Sequence, residues 1–186
     1  MSFLERIIQQ DKELLIYLNA LGSETWDDFW LVITNQLSWT PLFLFLLFLL
    51  FKAYGWKKGL LLVVLIALLV AFSDQFVNLI KNYFERLRPS HDSSLNKIIR
   101  TLKHAGGFSF VSGHSTTSFA TTTFLILILR KQYTYIYFLL LWPLFFAYSR
   151  IYIGVHFPID IFIGMLLGIT LGFIFYKIST SFLRKI

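Results

Sequence analysis

From Leu60 to Phe72 the chain carries no polar side chain, and the same run, opened by Gly59 and interrupted only by Ser73, Asp74, Gln75 and Asn78, extends to Ile80. A helix of about 20 such residues crosses the hydrocarbon of a bilayer. Further apolar runs occur at Leu37 to Tyr54, Ser115 to Leu129, Tyr133 to Ser149 and Phe157 to Tyr176. The third and fourth in chain order are short, so their ends are expected to draw on flanking polar residues. With 56% hydrophobic residues and a mean hydropathy of +0.67, the chain is too apolar for a water-soluble domain of this size. The expected fold is all-α, a multi-pass transmembrane helical bundle of about five spans. It forms one domain over residues 1–186, without linker or internal repeat.

Ahead of the first span, Leu4, Ile7, Ile8, Leu14, Leu15 and Leu18 recur at roughly helical spacing among charges, which reads as an N-terminal amphipathic helix on the membrane surface. Glu5, Arg6, Asp11, Lys12 and Glu13 fall within Met1 to Gly22 and rule against the uncharged core of a cleavable signal peptide. Trp26, Phe29, Trp30 and Trp39 mark a headgroup zone, with Asp27 and Asp28 expected in water.

The net charge of +7 is not a nucleic-acid footprint, because the cations sit in short clusters at the ends of apolar runs. Lys52, Lys57 and Lys58, then Arg130 and Lys131, then Lys177, Arg184 and Lys185 share one side, which the positive-inside tendency makes cytoplasmic, together with the C-terminus. The connections Asn82 to Gly113 and Arg150 to His156 then face the exterior or periplasm. The longer one holds Arg86, Arg88, Lys97, Arg100 and Lys103 against that charge bias, which an anionic ligand would explain. Cysteine is absent, so disulfides and thiolate metal sites are excluded.

Three stretches on the outer side carry reactive groups. In KNYFERLRP, Lys81 and Arg88 are about two helical turns apart and are expected on one face of the second span's end, which Pro89 stops. Alone, this is also the pattern of juxtamembrane cations snorkelling to headgroups. In VSGHSTTS, Ser112 suits a helix N-cap, Gly113 allows close backbone approach, and His114 falls in a first turn that favours an anion. A capped helix with an interfacial histidine reads equally well. Thr116, Thr117, Thr121, Thr122 and Thr123 are assigned to interhelical hydrogen bonds.

In SRIYIGVHFPID, Pro158 opens a helix and Asp160 lies four residues after His156, within reach of its imidazole. A carboxylate on one ring nitrogen fixes the tautomer and frees the lone pair of the other, which a nucleophilic histidine needs. Arg150 offers a planar fork to phosphoryl oxygens. The competing reading is an interfacial Arg and His paired by an Asp.

Together, Lys-x6-Arg-Pro, Ser-Gly-His and Ser-Arg-x5-His-x3-Asp resemble, in order and spacing, the motifs of the type-2 phosphatidate phosphatase family, relatives of the vanadium haloperoxidases. The resemblance covers Lys81 to Asp160 by motif, and Val111 stands where that family has proline. It implies that His156 is the nucleophile, Asp160 its orienting partner and His114 the general acid. Lys81, Arg88, Arg150, Ser112 and the Gly113 backbone would hold the phosphoryl oxygens. Neither a metal nor another cofactor is expected, and the partners are the bilayer and a lipid phosphate or diphosphate.

The resemblance further implies a bacterial inner-membrane enzyme, with undecaprenyl diphosphate as the leading substrate and phosphatidylglycerophosphate, phosphatidate or lipid A as alternatives. Arg86, Lys97, Arg100 and Lys103, with His91 and His104, are candidates for a second phosphate, against the alternative of solvated loop charges. Two other classes compete with this reading, a vanadate-dependent peroxidase and a non-catalytic lipid transporter using Asp74, Gln75 and Asn78. For Asp74, interhelical packing or support of Lys81 is the preferred role. Oligomeric state is not legible.

Overall fold

The computed structural model describes residues 2–184, so Met1 and the terminal cation Lys185 lie outside it. Among the described residues all regular structure is helical: α1 (Phe3–Ala20), α2 (Glu24–Thr34), α3 (Thr40–Phe84), α4 (Gly113–Leu129), α5 (Leu141–Tyr152) and α6 (Pro158–Leu183). Short 3-10 turns at Gln36–Trp39, Pro89–His91 and Thr134–Leu140 link them. Three segments are long and apolar enough to cross a membrane: Gln36–His91, Thr134–Tyr152 and Pro158–Leu183.

α3 holds two of the expected runs and reverses between them. Gly55 has φ 70° and ψ 178°, a backbone state that only glycine adopts readily. A Cβ at Gly59 would come 2.5 Å from the Phe51 ring, whereas eight residues of straight helix would separate the two by about 12 Å. The halves of α3 therefore lie side by side, with Leu46, Leu49 and Leu50 sharing a core with Leu62, Leu65 and Leu69. Tyr54 Oη donates to Ile128 O at 2.8 Å, so this reversal and the end of α4 share one end of the bundle.

The closest helix contact joins α4 to α6. Gly164, Gly168 and Gly172 recur every fourth residue, one face of a helix, and the spacing lets backbones approach. A Cβ at Gly164 would lie 2.8 Å from Ser112 O, and Cβ atoms at Gly168 and Gly172 would collide with the carbonyls of Thr116 and Ala120. The threonines of α4 contribute small shape here, not the expected interhelical bonds. Thr116 Oγ1 turns back to Ser112 O within its own helix at 3.0 Å, and Thr122 Oγ1 has no partner among the described residues. A side-chain bond between the two helices comes instead from Ser115 Oγ to Ile161 O, 2.8 Å.

α1 is helical as expected, but it packs with a stripe of Asp11, Leu15 and Asn19, leaving Leu4, Ile8 and Leu14 exposed. The Asn19 amide explains the polar choice. Its Nδ2 lies within 3.1 Å of the carbonyls of Arg100, Ile151 and Tyr152, and its Oδ1 accepts from Arg100 N at 2.7 Å. One side chain thus ties α1, the long connection and the end of α5 together.

Replacing Gly168 by Val should force α4 and α6 apart at a cost of about 1–3 kcal/mol. The expected outcome is a lower melting temperature in detergent, while Gly106→Ala, where an added Cβ meets nothing within 4 Å, leaves it unchanged.

Candidate active site

The functional residues converge where α4 and α6 begin. Ser112 is the N-cap of α4, its side chain accepting from Ser115 N at 3.4 Å. Its own N–H donates to Asp160 O at 3.0 Å, so the start of α4 is bonded to the first turn of α6. Ser112 is fully buried. His114 stands one residue into α4, with its ring 5.3 Å from that of Phe146 on α5.

His156 lies in the tight connection between α5 and α6 and is 1% exposed. Val155 N–H donates to Arg150 O and Gly154 N–H to Ile151 O, closing that connection into a rigid turn. Gly154, at φ 77°, sits where a Cβ would lie 2.7 Å from Arg100 O. His156 Nδ1 is 3.4 Å from Asp160 Oδ2, and the same oxygen accepts from Phe157 N at 3.0 Å, capping α6. The other ring nitrogen, Nε2, faces Arg88 Nη1 at 3.3 Å. This arrangement puts the proton on Nδ1 and the lone pair on Nε2, toward the cations. Burial lowers the His156 pKa to about 4, so the ring is neutral at ordinary pH.

Arg88 does not share a helix face with Lys81. α3 ends at Phe84, where Glu85 takes a left-handed conformation (φ 46°) with its N–H on Lys81 O. Arg88 follows in extended chain, φ −73° and ψ 155°. Pro89 therefore does not stop the helix, and the extended segment brings the guanidinium inward. Arg88 Nε donates to Gly106 O at 3.0 Å and Gly107 O at 3.2 Å, and Nη1 to Val155 O at 3.0 Å. Carbonyl dipoles hold the group in place without cancelling its charge.

Arg150, 5% exposed, donates from Nη1 to Thr34 Oγ1 of α2 at 2.6 Å. Its Nε is a buried donor without a partner among the described residues. Lys81, Arg88 and Arg150 all act on His114 through their charges, as does His156. Two imidazoles and three cations from α3, α4, α5 and their connections are therefore near enough to act on one another, a concentration of positive charge suited to an anionic group. Among the described residues no three His, Asp or Glu converge as metal ligands.

Two of the cations expected near a second phosphate, Arg86 and Arg100, are already engaged. Arg86 bonds Asp160 Oδ1 at 2.8 Å and Asp11 Oδ2 at 2.6 Å. Arg100 bonds Asp27 at 2.7 Å, and Tyr152 Oη donates to the same carboxylate at 2.8 Å. Asp27 is consequently bound by protein groups instead of standing in water. Lys97, Lys103, His91 and His104 are exposed. Asp74 is also exposed, not packed between helices, and accepts from Asn78 Nδ2 at 3.3 Å. Its charge acts on Lys81, in keeping with a supporting role.

Sequence reasoning missed Asp11, Thr34 and the pairing role of Arg86. No local spacing reveals them, since each acts across a sequence separation of 74 to 148 residues.

The PAP2 superfamily profile matches residues 58–184. Over 173 residues, 91% of this chain and 76% of the relative, the sequence is 35% identical to a lipid A 4'-phosphatase of Bacteroides thetaiotaomicron. A lipid A 4'-phosphatase of Porphyromonas gingivalis is 31% identical over 94% of this chain and 75% of its own length. An undecaprenyl-diphosphatase of Bacillus subtilis is 30% identical, over 52% of this chain and 47% of its own. The crystal structure of a transmembrane PAP2-type phosphatidylglycerolphosphate phosphatase from Bacillus subtilis superposes with a TM-score of 0.73 at 22% identity, covering 97% of this chain and 88% of that one.

Arg88→Lys keeps the charge but loses the fork that reaches three carbonyls and His156 together. A fall in kcat of roughly 10²–10³ is expected, the usual effect of removing one oriented donor from a charge-stabilising site, measured as phosphate release in detergent.

Proposed function

The chain belongs to the PAP2 superfamily and is a membrane lipid phosphatase acting on phosphate esters, and we propose that its substrate is a phosphate monoester of a lipid A type glycolipid. The observation that carries the substrate class is the extent of the similarity. Lipid A 4'-phosphatases align over 91% and 94% of the chain, whereas the undecaprenyl-diphosphatase aligns over 52%. This reverses the order expected from the sequence, which placed undecaprenyl diphosphate first on analogy with other small bacterial proteins.

The chemistry rests on His156 held between Asp160 and Arg88. His156 Nε2 attacks phosphorus while His114 protonates the departing oxygen. Water, giving a proton to His114, then cleaves the N–P bond, releasing inorganic phosphate and restoring both rings. Lys81, Arg88 and Arg150 offset the charge on the equatorial oxygens, so no divalent ion is needed in either step.

A lipid tail has a place beside this site. A groove of about 460 Å³ runs between the two halves of α3, α4 and α5, lined by Leu46, Leu50, Val63, Ile66, Leu125 and Phe146. Thr117 and Ser118, one turn beyond His114, line its upper part. In this reading five spans embed the chain in a bacterial inner membrane, α1 lies in the outer interface, the site faces the periplasm and the C-terminus the cytoplasm. The exposed Leu4, Ile8 and Leu14 of α1 support its placement.

The test is phosphate release in detergent from lipid A, undecaprenyl diphosphate, phosphatidate and phosphatidylglycerophosphate, with and without chelator. Lipid A is expected to turn over fastest, chelator to have no effect, and His156→Ala and His114→Ala to be inactive though folded. Faster release from undecaprenyl diphosphate would overturn the substrate, and near-normal release by His156→Ala the nucleophile. Because the nucleophile must be unprotonated and the general acid protonated, kcat/KM should not fall as pH drops through 6.5, the value of a free imidazole, and the loss from protonating His156 should set in only toward its lowered pKa of about 4.

A further inference from the structure

Behind the reacting histidine lies a second set of charges that the mechanism does not use. The Arg86 guanidinium sits between two carboxylates, donating from Nη1 to Asp160 Oδ1 at 2.8 Å and from Nη2 to Asp11 Oδ2 at 2.6 Å. Both carboxylates have side-chain exposures of 0%. The face of Arg86 stacks on Phe157, 3.8 Å from the ring centroid. Asp11 Oδ1 accepts from Ile159 N at 2.9 Å, satisfying one of the free N–H groups at the start of α6. From α1 to the reacting ring the order is Asp11, Arg86, Asp160, His156.

Stability alone is a poor reason for this arrangement. Burying two carboxylates beside a half-buried guanidinium carries a large desolvation penalty, and well-packed apolar side chains commonly do as well or better. The stoichiometry points elsewhere. A guanidinium paired with Asp160 alone would cancel the charge that steadies His156 as phosphorylation makes the ring cationic. Asp11 draws Arg86 away in part, so the three groups together carry a net charge of −1 on the His156 side.

We propose that Asp11 and Arg86 are positioning residues that set the charge and orientation Asp160 presents to His156, making α1 part of the reaction apparatus. The inference rests on the reading of His156 as nucleophile. Partners that orient a reacting histidine from one shell out typically change activity 10- to 100-fold when removed. Burial raises the Asp11 pKa, against the Arg86 and Ile159 bonds that lower it. Acid therefore protonates Asp11 earlier than an exposed aspartate, and Asp11→Asn is the permanent form of that state. The other charges on His156 are Arg88 from the connection after α3 and Arg150 from α5, with His114 facing it from α4. They are common to every variant compared.

The experiment is the pH profile of kcat/KM for phosphate release from dioctanoyl phosphatidate in detergent, with melting temperature in parallel. Asp11→Asn changes the charge of the trio from −1 to 0 and should move the acid limb to lower pH. Arg86→Gln changes it to −2 and should move the limb to higher pH, each by roughly half a unit or more, with kcat down about tenfold and KM little changed. The double variant returns to −1 and should bring the limb back to its original position. Arg86→Lys should keep the limb in place with a smaller loss of kcat.

Limbs that stay put in both single variants, move in the same direction, or fail to return in the double variant would overturn the proposal, whatever happens to stability. Should one single variant fail to fold, the other together with the double variant decides it, through a shift and its reversal. If His156→Ala is inert and the limbs do not move, only the role of Asp11 and Arg86 falls. If His156→Ala keeps its rate, the nucleophile assignment itself has failed.

Discussion

The carboxylate and backbone of Asp160 are where the separate parts of the site meet. Oδ2 accepts from Phe157 N and lies on His156 Nδ1, Oδ1 accepts from Arg86, and the backbone carbonyl accepts from Ser112 N. Four segments are joined through one residue at the start of α6. The junction is available only because α6 approaches α4 at backbone distance, which Gly164, Gly168 and Gly172 permit and a Cβ at any of them would prevent. A packing property of the bundle therefore sets a chemical one, the placement of His114 beside His156.

The charge arrangement at this junction is lopsided in a useful way. Arg88 and Arg150 are buried, yet neither forms a salt bridge with a carboxylate among the described residues. Arg88 is held by the carbonyls of Gly106, Gly107 and Val155, and Arg150 by the hydroxyl of Thr34. Dipoles fix their geometry and leave their charge uncompensated. Arg86, a guanidinium paired with two carboxylates, stands behind the histidine instead of in front of it. In the proposed mechanism an incoming phosphoryl dianion would meet cations whose desolvation was already met on folding, and little reorganisation would remain when charge develops.

The helical class and the apolar runs were legible in the sequence, as was the family through its motifs, because each depends on local spacing or on residue type. What was not legible depends on partners far along the chain. The end of α3 shows this well. Pro89 looked like the stop, but a left-handed Glu85 ends the helix a turn earlier, and Arg88 reaches the site from extended chain. A two-turn spacing of Lys81 and Arg88 was compatible with either geometry. Asp11 read as a solvated charge on an amphipathic helix and is instead the buried partner of Arg86. The glycine spacing in α6 was there to be read, as small residues every fourth position in an apolar run, and its pairing with the threonines of α4 would have replaced the expected hydrogen bonds with close packing.

The residues most legible in the sequence are also the least informative about which lipid is used. In the proposed mechanism every lipid phosphate would present the same phosphoryl oxygens to Lys81, Arg88 and Arg150, so these side chains would select for phosphate and nothing further. The apolar groove adds little, since a hydrocarbon wall separates ligands differing by one methylene by only about 1–3 kcal/mol. Strong discrimination comes from polar groups that must be matched or left unpaired. The polar side chains lining the groove are Gln36, Thr117, Ser118 and Thr121, and the connection from Glu85 to Ser112 carries the exposed Lys97, Lys103 and His104. On the proposed reading a glycolipid headgroup, rich in hydroxyl and amide groups, would find partners among them that a prenyl chain would not use. Recognition of the lipid would then be separated in space from the chemistry on its phosphate, so that one phosphoryl site could serve different lipids by changing only its surroundings.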